Sequence, residues 1–328
     1  MLKKLFVTLL CFITSAGFGA VNIMGGEKVD MSDALVHSAE EMFEATKIVC
    51  SGISDEISKI SKVSKANTAV TAVGTVAAGG ALAAGIAKSK EEKEIERIID
   101  EICKNGGCTA EGVRSMSLER FYSVVISPMA EIAELQRRIE RSKKLGNWRT
   151  GLMAGTIGTN LASAIISGVN RDQSDLIQHI EACNEMVKSI KSVSGQLKAA
   201  GVDPMDNPIV KKIDNIKTWC AQINTSDVEK IEKRMKGVMG TSIAGTVVGV
   251  VGTATSASAN SDEYMDIKNK MALSDSDKSK EKHLNTTANI MAGANVGTGL
   301  VETGLNISLI KLTKDLMGNA QRCEEVLQ

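Results

Sequence analysis

Four long stretches of this chain carry almost no charge and are built from Gly, Ala, Ser and Thr: residues 66–87, 150–170, 237–261 and 284–310, the last broken only by Glu302. Each is about 21 to 27 residues long. A helix with no charged face has to be buried in protein or in lipid. Glycine in a helix interior costs about 1 kcal/mol relative to alanine, so segments this rich in glycine are helical only if tertiary packing stabilises them.

Charged amphipathic helices flank the four stretches. Residues 30–63 carry an apolar stripe of Leu35, Ala39, Met42, Val49, Ile53, Ile57, Ile60 and Val63 at helical spacing. Residues 88–103 continue with Ile95, Ile98, Ile99 and Ile102 and stop at Asn105-Gly106-Gly107. Ser127-Pro128 reads as an N-cap and first-turn proline for a helix with Ile132, Leu135 and Ile139. A further helix carries Leu176, Ile180, Val187, Ile190 and Leu197. Asn207-Pro208 opens the next, and Ser226 with Glu229 reads as a capping box ahead of a basic run at 230–236. A last stripe comprises Leu309, Leu312, Leu316, Cys323 and Val326. With 3% aromatics and only three prolines, turn signals are too sparse for a sandwich or barrel.

The alternation of basic amphipathic helix, uncharged segment and charged helix is a divergent internal repeat. Gly-Thr recurs inside each uncharged segment, at Gly74-Thr75, Gly155-Thr156, Gly245-Thr246 and Gly297-Thr298. It divides the chain into a signal peptide at 1–20, a first repeat at 21–110, a second at 111–203, and a third and fourth at 204–328, all one continuous helical domain.

Residues 1–20 have a basic start at Lys3 and Lys4, an apolar run from Leu5 to Ile13, and small residues at Ser15, Ala16, Gly17, Gly19 and Ala20. That is the plan of a secretory signal peptide, and it predicts an exported chain, periplasmic or secreted. Export makes an even set of cysteines a disulfide framework. Six remain after removal of Cys11: Cys50, Cys103, Cys108, Cys183, Cys220 and Cys323. The helices on either side of residues 200–208 should fold back on each other, which predicts a Cys183–Cys220 bridge. Cys50 would reach Cys103 or Cys108 if the first segment bends at Gly79-Gly80, and Cys323 would take the remaining partner. The four-residue gap between Cys103 and Cys108 is looser than a zinc-binding pair, and the three histidines, His37, His179 and His283, lie in separate segments.

Within the third segment small residues recur every fourth position: Gly237, Thr241, Gly245, Gly249, Thr253 and Ala257. Gly151/Gly155 and Gly293/Gly297 repeat that spacing. Such faces let two helix backbones approach closely. The segments then have two readings. In one they pack together as the dry centre of a water-soluble bundle; in the other they enter a bilayer, whose hydrocarbon of ~30 Å they are long enough to cross. Their Ser, Thr and Asn content, the absence of an aromatic belt beyond Trp148, and basic runs preceding three successive segments favour the first. Glu302 is expected to face water on the exterior, since a buried carboxylate needs a partner.

No nucleophile elbow, phosphate loop or metalloprotease motif is present in the sequence. The 39 basic and 39 acidic side chains balance, so no general attraction to nucleic acid or anionic lipid arises. The expected fold is all-α: an elongated antiparallel bundle or coiled coil, stapled by disulfides, with the uncharged segments packed centrally. The expected function is that of a non-enzymatic envelope or secreted protein working through protein contacts or self-association. No cofactor, metal or small-molecule substrate is called for. The alternative is a membrane-inserting protein, a pore or an anchor, whose small-residue helices associate within the bilayer.

Overall fold

The computed structural model describes residues 31–106, 109–117, 120–121, 129–199, 202 and 207–328. The signal-peptide reading, Cys108 and the Ser127-Pro128 cap lie outside the described residues. Every regular element among the described residues is a helix: α1 (Met31–Cys50), α2 (Ile53–Gly106), α3 (Ala110–Ser115), α4 (Met129–Val169), α5 (Ser174–Ala199), α6 (Pro208–Cys220), α7 (Thr225–Ser258), α8 (Asp262–Met265), α9 (Ile267–Met271) and α10 (Asp275–Leu327).

Helix starts follow capping chemistry. Asn207 accepts from the Ile209 N–H with Pro208 in the first turn of α6, as the Asn-Pro pair predicts. At α7 the cap sits two residues before the expected one: Asn224 Oδ1 accepts from the Ser226 N–H, so Ser226 is already inside the helix. The single stripe read over 30–63 is two helices, because the chain turns at Gly52, whose φ of 85° is a left-handed conformation open to glycine. Gly79-Gly80, by contrast, do not bend α2, which runs unbroken for 54 residues, about 80 Å.

Four long helices, α2, α4, α7 and α10, lie side by side, with α2 and α7 each packed on both α4 and α10. Cross-links run in opposite chain directions: Ser54 meets Glu324, Asn67 meets Asn306, Thr71 meets Glu302 and Ser89 meets Asn289. Buried positions on α10 alternate four and three apart, from Glu281, Asn285, Ala288, Ala292 and Asn295 through Gly299, Glu302, Asn306 and Leu309 to Leu327. On α7 the series Val228, Ile231, Met235, Val238, Ser242, Gly245, Gly249, Gly252 and Ser256 does the same. This mean spacing of 3.5 is the coiled-coil period.

The every-fourth-residue face read from the third segment is therefore not the buried face. A step of four residues advances about 40° beyond one full turn, so that line drifts around the helix, whereas the 3–4 alternation stays on one side. The two coincide only at Gly245 and Gly249. Gly252, which the four-residue spacing misses, is also packed tightly: a Cβ there would strike Met153 Cε and stand 2.8 Å from Met291 Cβ.

Large apolar cores occupy the two ends of the quartet. At one end α1, α5 and α6 join the termini of α2, α7 and α10 around Phe43, Ile57, Ile180, Ile190, Ile213, Ile231 and Leu316. At the other, Ile95, Ile99, Phe121, Leu135 and Ile139 pack with Met271. Between them the only buried apolar cluster among the described residues is Ala81, Met153 and Ala292.

Candidate functional site

The interior of the middle region is polar. Nearest the large end core, Asn67 Nδ2 donates to Ser167 Oγ at 3.0 Å and to Asn306 Oδ1 at 3.2 Å. One layer further, all four long helices converge on Glu302, which is 1% exposed. Its Oε1 accepts from Thr71 Oγ1 of α2 at 3.1 Å, from Ser242 Oγ of α7 at 2.6 Å and from Ser163 Oγ of α4. Asn306 Nδ2 donates to Thr71 Oγ1 at 3.3 Å and Ser242 Oγ lies 3.0 Å from Ser163 Oγ, joining the two layers into one network. No ion pair to Glu302 occurs among the described residues. The expectation that Glu302 faces water is thus wrong: the heptad places it inward, and hydroxyls satisfy it in place of a cation.

Glycines make room for this seam. A Cβ at Gly245 would lie 2.5 Å from Asn160 Nδ2 and 3.2 Å from Thr298 Oγ1, and one at Gly249 would lie 2.8 Å from Ile157 Cγ1. Gly74 faces Thr159, and Gly299 faces Thr75. At Gly237 a Cβ would meet only Leu305 Cδ1 at 3.5 Å. Gly151, Gly155, Gly293 and Gly297, read as close-packing positions, have nothing within 4 Å of a Cβ. The Gly-Thr pairs are accordingly not equivalent: Gly74 and Gly245 are buried, whereas Gly155 and Gly297 face outward.

Several seam atoms lack partners. Asn295, 3% exposed, has neither its amide nitrogen nor its oxygen hydrogen-bonded, and Asn67 Oδ1 and Thr253 Oγ1 are also unpaired. Beyond the Met153 layer the polar core resumes with charge. Arg149 donates to Ser256 at 2.7 Å, Asn285 at 3.0 Å and Asn289 at 3.2 Å. Lys88 donates to the Ala259 carbonyl at 3.0 Å and to Asn260 Oδ1 at 3.3 Å. Lys270, from the short helix α9, is buried between Glu92 and Glu281 and bonds both. Burial lowers Lys88 to about 8 and Arg149 to about 10. It pushes Glu281 up to about 7, with the Glu92 charge adding to the rise.

The exterior of the same region is apolar. Val73, Val76 and Ile86 on α2, Leu161, Ile165 and Val169 on α4, Ile243, Val247, Val250 and Val251 on α7, and Ile290, Leu300, Val301 and Ile307 on α10 are all exposed, by 40% to 77%. The centre of the uncharged segments is therefore polar rather than apolar, and many of their branched apolar side chains are exposed. By length and composition three helical stretches, within Val36–Lys104, Glu131–Ala199 and Pro208–Ser258, are apolar enough to cross a membrane.

The five cysteines among the described residues are disulfide-bonded, but not in the predicted pairing. Cys50 bonds Cys183 and Cys220 bonds Cys323, with Cα–Cα distances of 4.9 and 4.6 Å. Cys103 is in a disulfide as well, at the far end of α2 from Cys50, which rules out Cys50–Cys103. The α5–α6 hairpin does form. Cys183 and Cys220 each meet a third helix, α1 or α10, because spacing along a hairpin gives depth but not direction around the helix axis. The sulfurs of Cys50, Cys183 and Cys323 lie within 4.8 Å of one another, so the two bridges sit side by side. Of the histidines, His37 and His283 are exposed, and half-buried His179 reaches the Val49 carbonyl at 2.9 Å near the C-terminus of α1. No protein-family model, curated protein or solved structure matches the chain.

Proposed function

We propose that this is an exported, non-enzymatic, membrane-embedded protein: an elongated antiparallel four-helix bundle whose middle region lies in the bilayer around a polar seam, as a pore or carrier for small polar species. The observation that carries the reading is the reversed polarity of the middle region, with fourteen exposed large apolar side chains outside and Glu302, Asn67, Asn160, Asn295 and Asn306 inside. In water such a surface would leave fourteen large apolar side chains uncovered, and exposed apolar surface of this kind marks interaction or membrane-facing regions. In hydrocarbon it is the low-energy surface, and intramembrane ionisable groups face the bundle interior. The segment at 66–87 spans about 33 Å as a helix, close to the hydrocarbon thickness of ~30 Å. Helix α10 falls outside the three apolar stretches because its Glu and Asn residues face the seam, while Ile290, Leu300, Val301 and Ile307 still face out. Disulfide-bonded cysteines stand at both ends of the long helices, Cys50, Cys183, Cys220 and Cys323 at one and Cys103 at the other, so both ends call for an oxidising compartment. Outward-facing Gly151/Gly155 and Gly293/Gly297 support self-association within the bilayer.

The rival reading is the water-soluble interaction protein favoured by the sequence alone, supported by the missing aromatic belt and by the basic runs before three successive segments. Flotation decides between the two. The chain without residues 1–20, purified in detergent and mixed with phospholipid vesicles, should float with them after detergent removal and resist carbonate extraction while remaining helical by far-UV circular dichroism. A monodisperse helical protein that needs no detergent and stays with the aqueous fraction would refute the proposal.

A further inference from the structure

We infer that the Glu302 layer of the seam is a binding site for a small dehydrated monovalent cation of sodium size, an inference that rests on the membrane-embedded reading. The carboxylate is 1% exposed and has no cationic partner among the described residues. Its hydrogen-bond partners among the described residues are hydroxyl oxygens, from Thr71, Ser163 and Ser242. Oxygen ligands of this kind select alkali and alkaline-earth cations over softer metals. The charge count favours the alkali class. One carboxylate neutralises one positive charge, and a divalent ion would leave an excess charge in a medium where a buried unpaired charge costs several kcal/mol. Size favours sodium, because two of these hydroxyls already lie within 3.1 Å of one carboxylate oxygen, so the ion that displaces them least is the smaller.

The second observation is independent of the carboxylate. Asn67, at 3% exposure, donates its amide protons to Ser167 and Asn306 but leaves its Oδ1 without a partner. Asn67 is hydrogen-bonded to Asn306, which bonds Thr71, which bonds Glu302, so this free acceptor belongs to the layer next to the site. One heptad from Glu302 along α10, Asn295 leaves both amide atoms unpaired at the same depth of burial. A buried amide without partners costs roughly 1–3 kcal/mol. Free carbonyl oxygens on either side of a buried carboxylate are the arrangement a cation moving along the seam would use in exchange for its water.

The test is the unfolding midpoint of the reconstituted full chain in sodium chloride and in N-methylglucamine chloride at equal ionic strength, read by circular dichroism. A ligand that binds only the folded state raises the midpoint. Sodium should raise it by several degrees, and Glu302→Gln should abolish the rise. If Glu302→Gln fails to fold, the pair Ser163→Ala with Ser242→Ala, which keeps the carboxylate, should reduce the rise by half or more. Equal midpoints in the two salts, or an undiminished rise in either variant, would overturn the site. A chain that fails to float with vesicles yet gains stability from sodium would refute the membrane reading alone; one that floats but ignores sodium would refute this site alone.

Discussion

The end stapled by Cys50–Cys183 and Cys220–Cys323 and the middle region around Glu302 are built from the same helices with opposite rules. At the end, Ile57, Ile180, Ile213, Ile231 and Leu316 fill the heptad positions and charged residues face outward. In the middle, Asn67, Ser163, Ser242 and Glu302 fill those positions and Val76, Leu161, Val247 and Leu300 face outward. On α10 the switch occurs within one heptad, between Asn306 and Leu309. The 3–4 alternation does not change there, only the polarity of the inner and outer faces.

The comparison breaks most clearly under reduction. Each bridge closes a loop of more than one hundred residues, 133 and 103 apart in sequence, so removing one should cost about 2–5 kcal/mol. Cys183→Ser should lower the thermal midpoint strongly and free the α1 end to proteolysis, with the middle region still protected in vesicles. Equal loss of protection in both regions would mean that they do not behave as separate cores. A charge on the outer face tests the other half. Val247→Lys, on a side chain 59% exposed, should cost about 2.5–3.5 kcal/mol of insertion and abolish flotation. The same substitution would be within about 0.5 kcal/mol of neutral if that face were in water. Overpacking comes next. Gly252→Val would push against Met153 and Met291, and should lower stability by about 1–3 kcal/mol. Gly155→Val, with open space around it, should change the monomer's unfolding midpoint by much less.

How much of this was legible in the sequence depends on which residues are asked. Ile57, Ile180 and Leu316 are large apolar residues at helical spacing, and the stripe reading put them inside correctly. The same rule fails at Val247 and Ser242, because hydrophobic periodicity assumes that the outside is water. In an uncharged segment neither face is marked by charge, and the choice between Gly237-Gly245-Gly249 and Val238-Ser242-Gly249 rests on a difference of half a residue per turn. Glu302 held the missing signal. A lone carboxylate spaced in heptads from Asn295 and Leu309 marks the inward face of α10. The disulfide pairing was out of reach for a different reason: Cys50 and Cys323 reach the α5–α6 hairpin only through long-range packing.

The smallest effect is also the most specific to the far end of the seam, where Lys88, Glu92, Arg149, Lys270 and Glu281 are buried together. Glu281 is raised from 4.5 to about 7 by burial, so between those values the folded chain holds a proton that the unfolded chain has lost. Stability from this group is therefore greatest below 4.5 and falls as pH rises toward about 7. Lys88 is lowered from 10.5 to about 8, again by burial, so between about 8 and 10.5 the unfolded chain binds the extra proton. Stability from this group rises with pH over that window. Together the two place a shallow minimum between pH 7 and 8, on the order of 1 kcal/mol deep because neighbouring charges offset part of each shift. Unfolding midpoints at pH 5.5, 7.5 and 9.5 should trace it, and Glu281→Gln should flatten the acid arm while leaving the alkaline arm in place. An acid arm unchanged in that variant would assign the pH response to other carboxylates and leave the charged end a static cap on the seam.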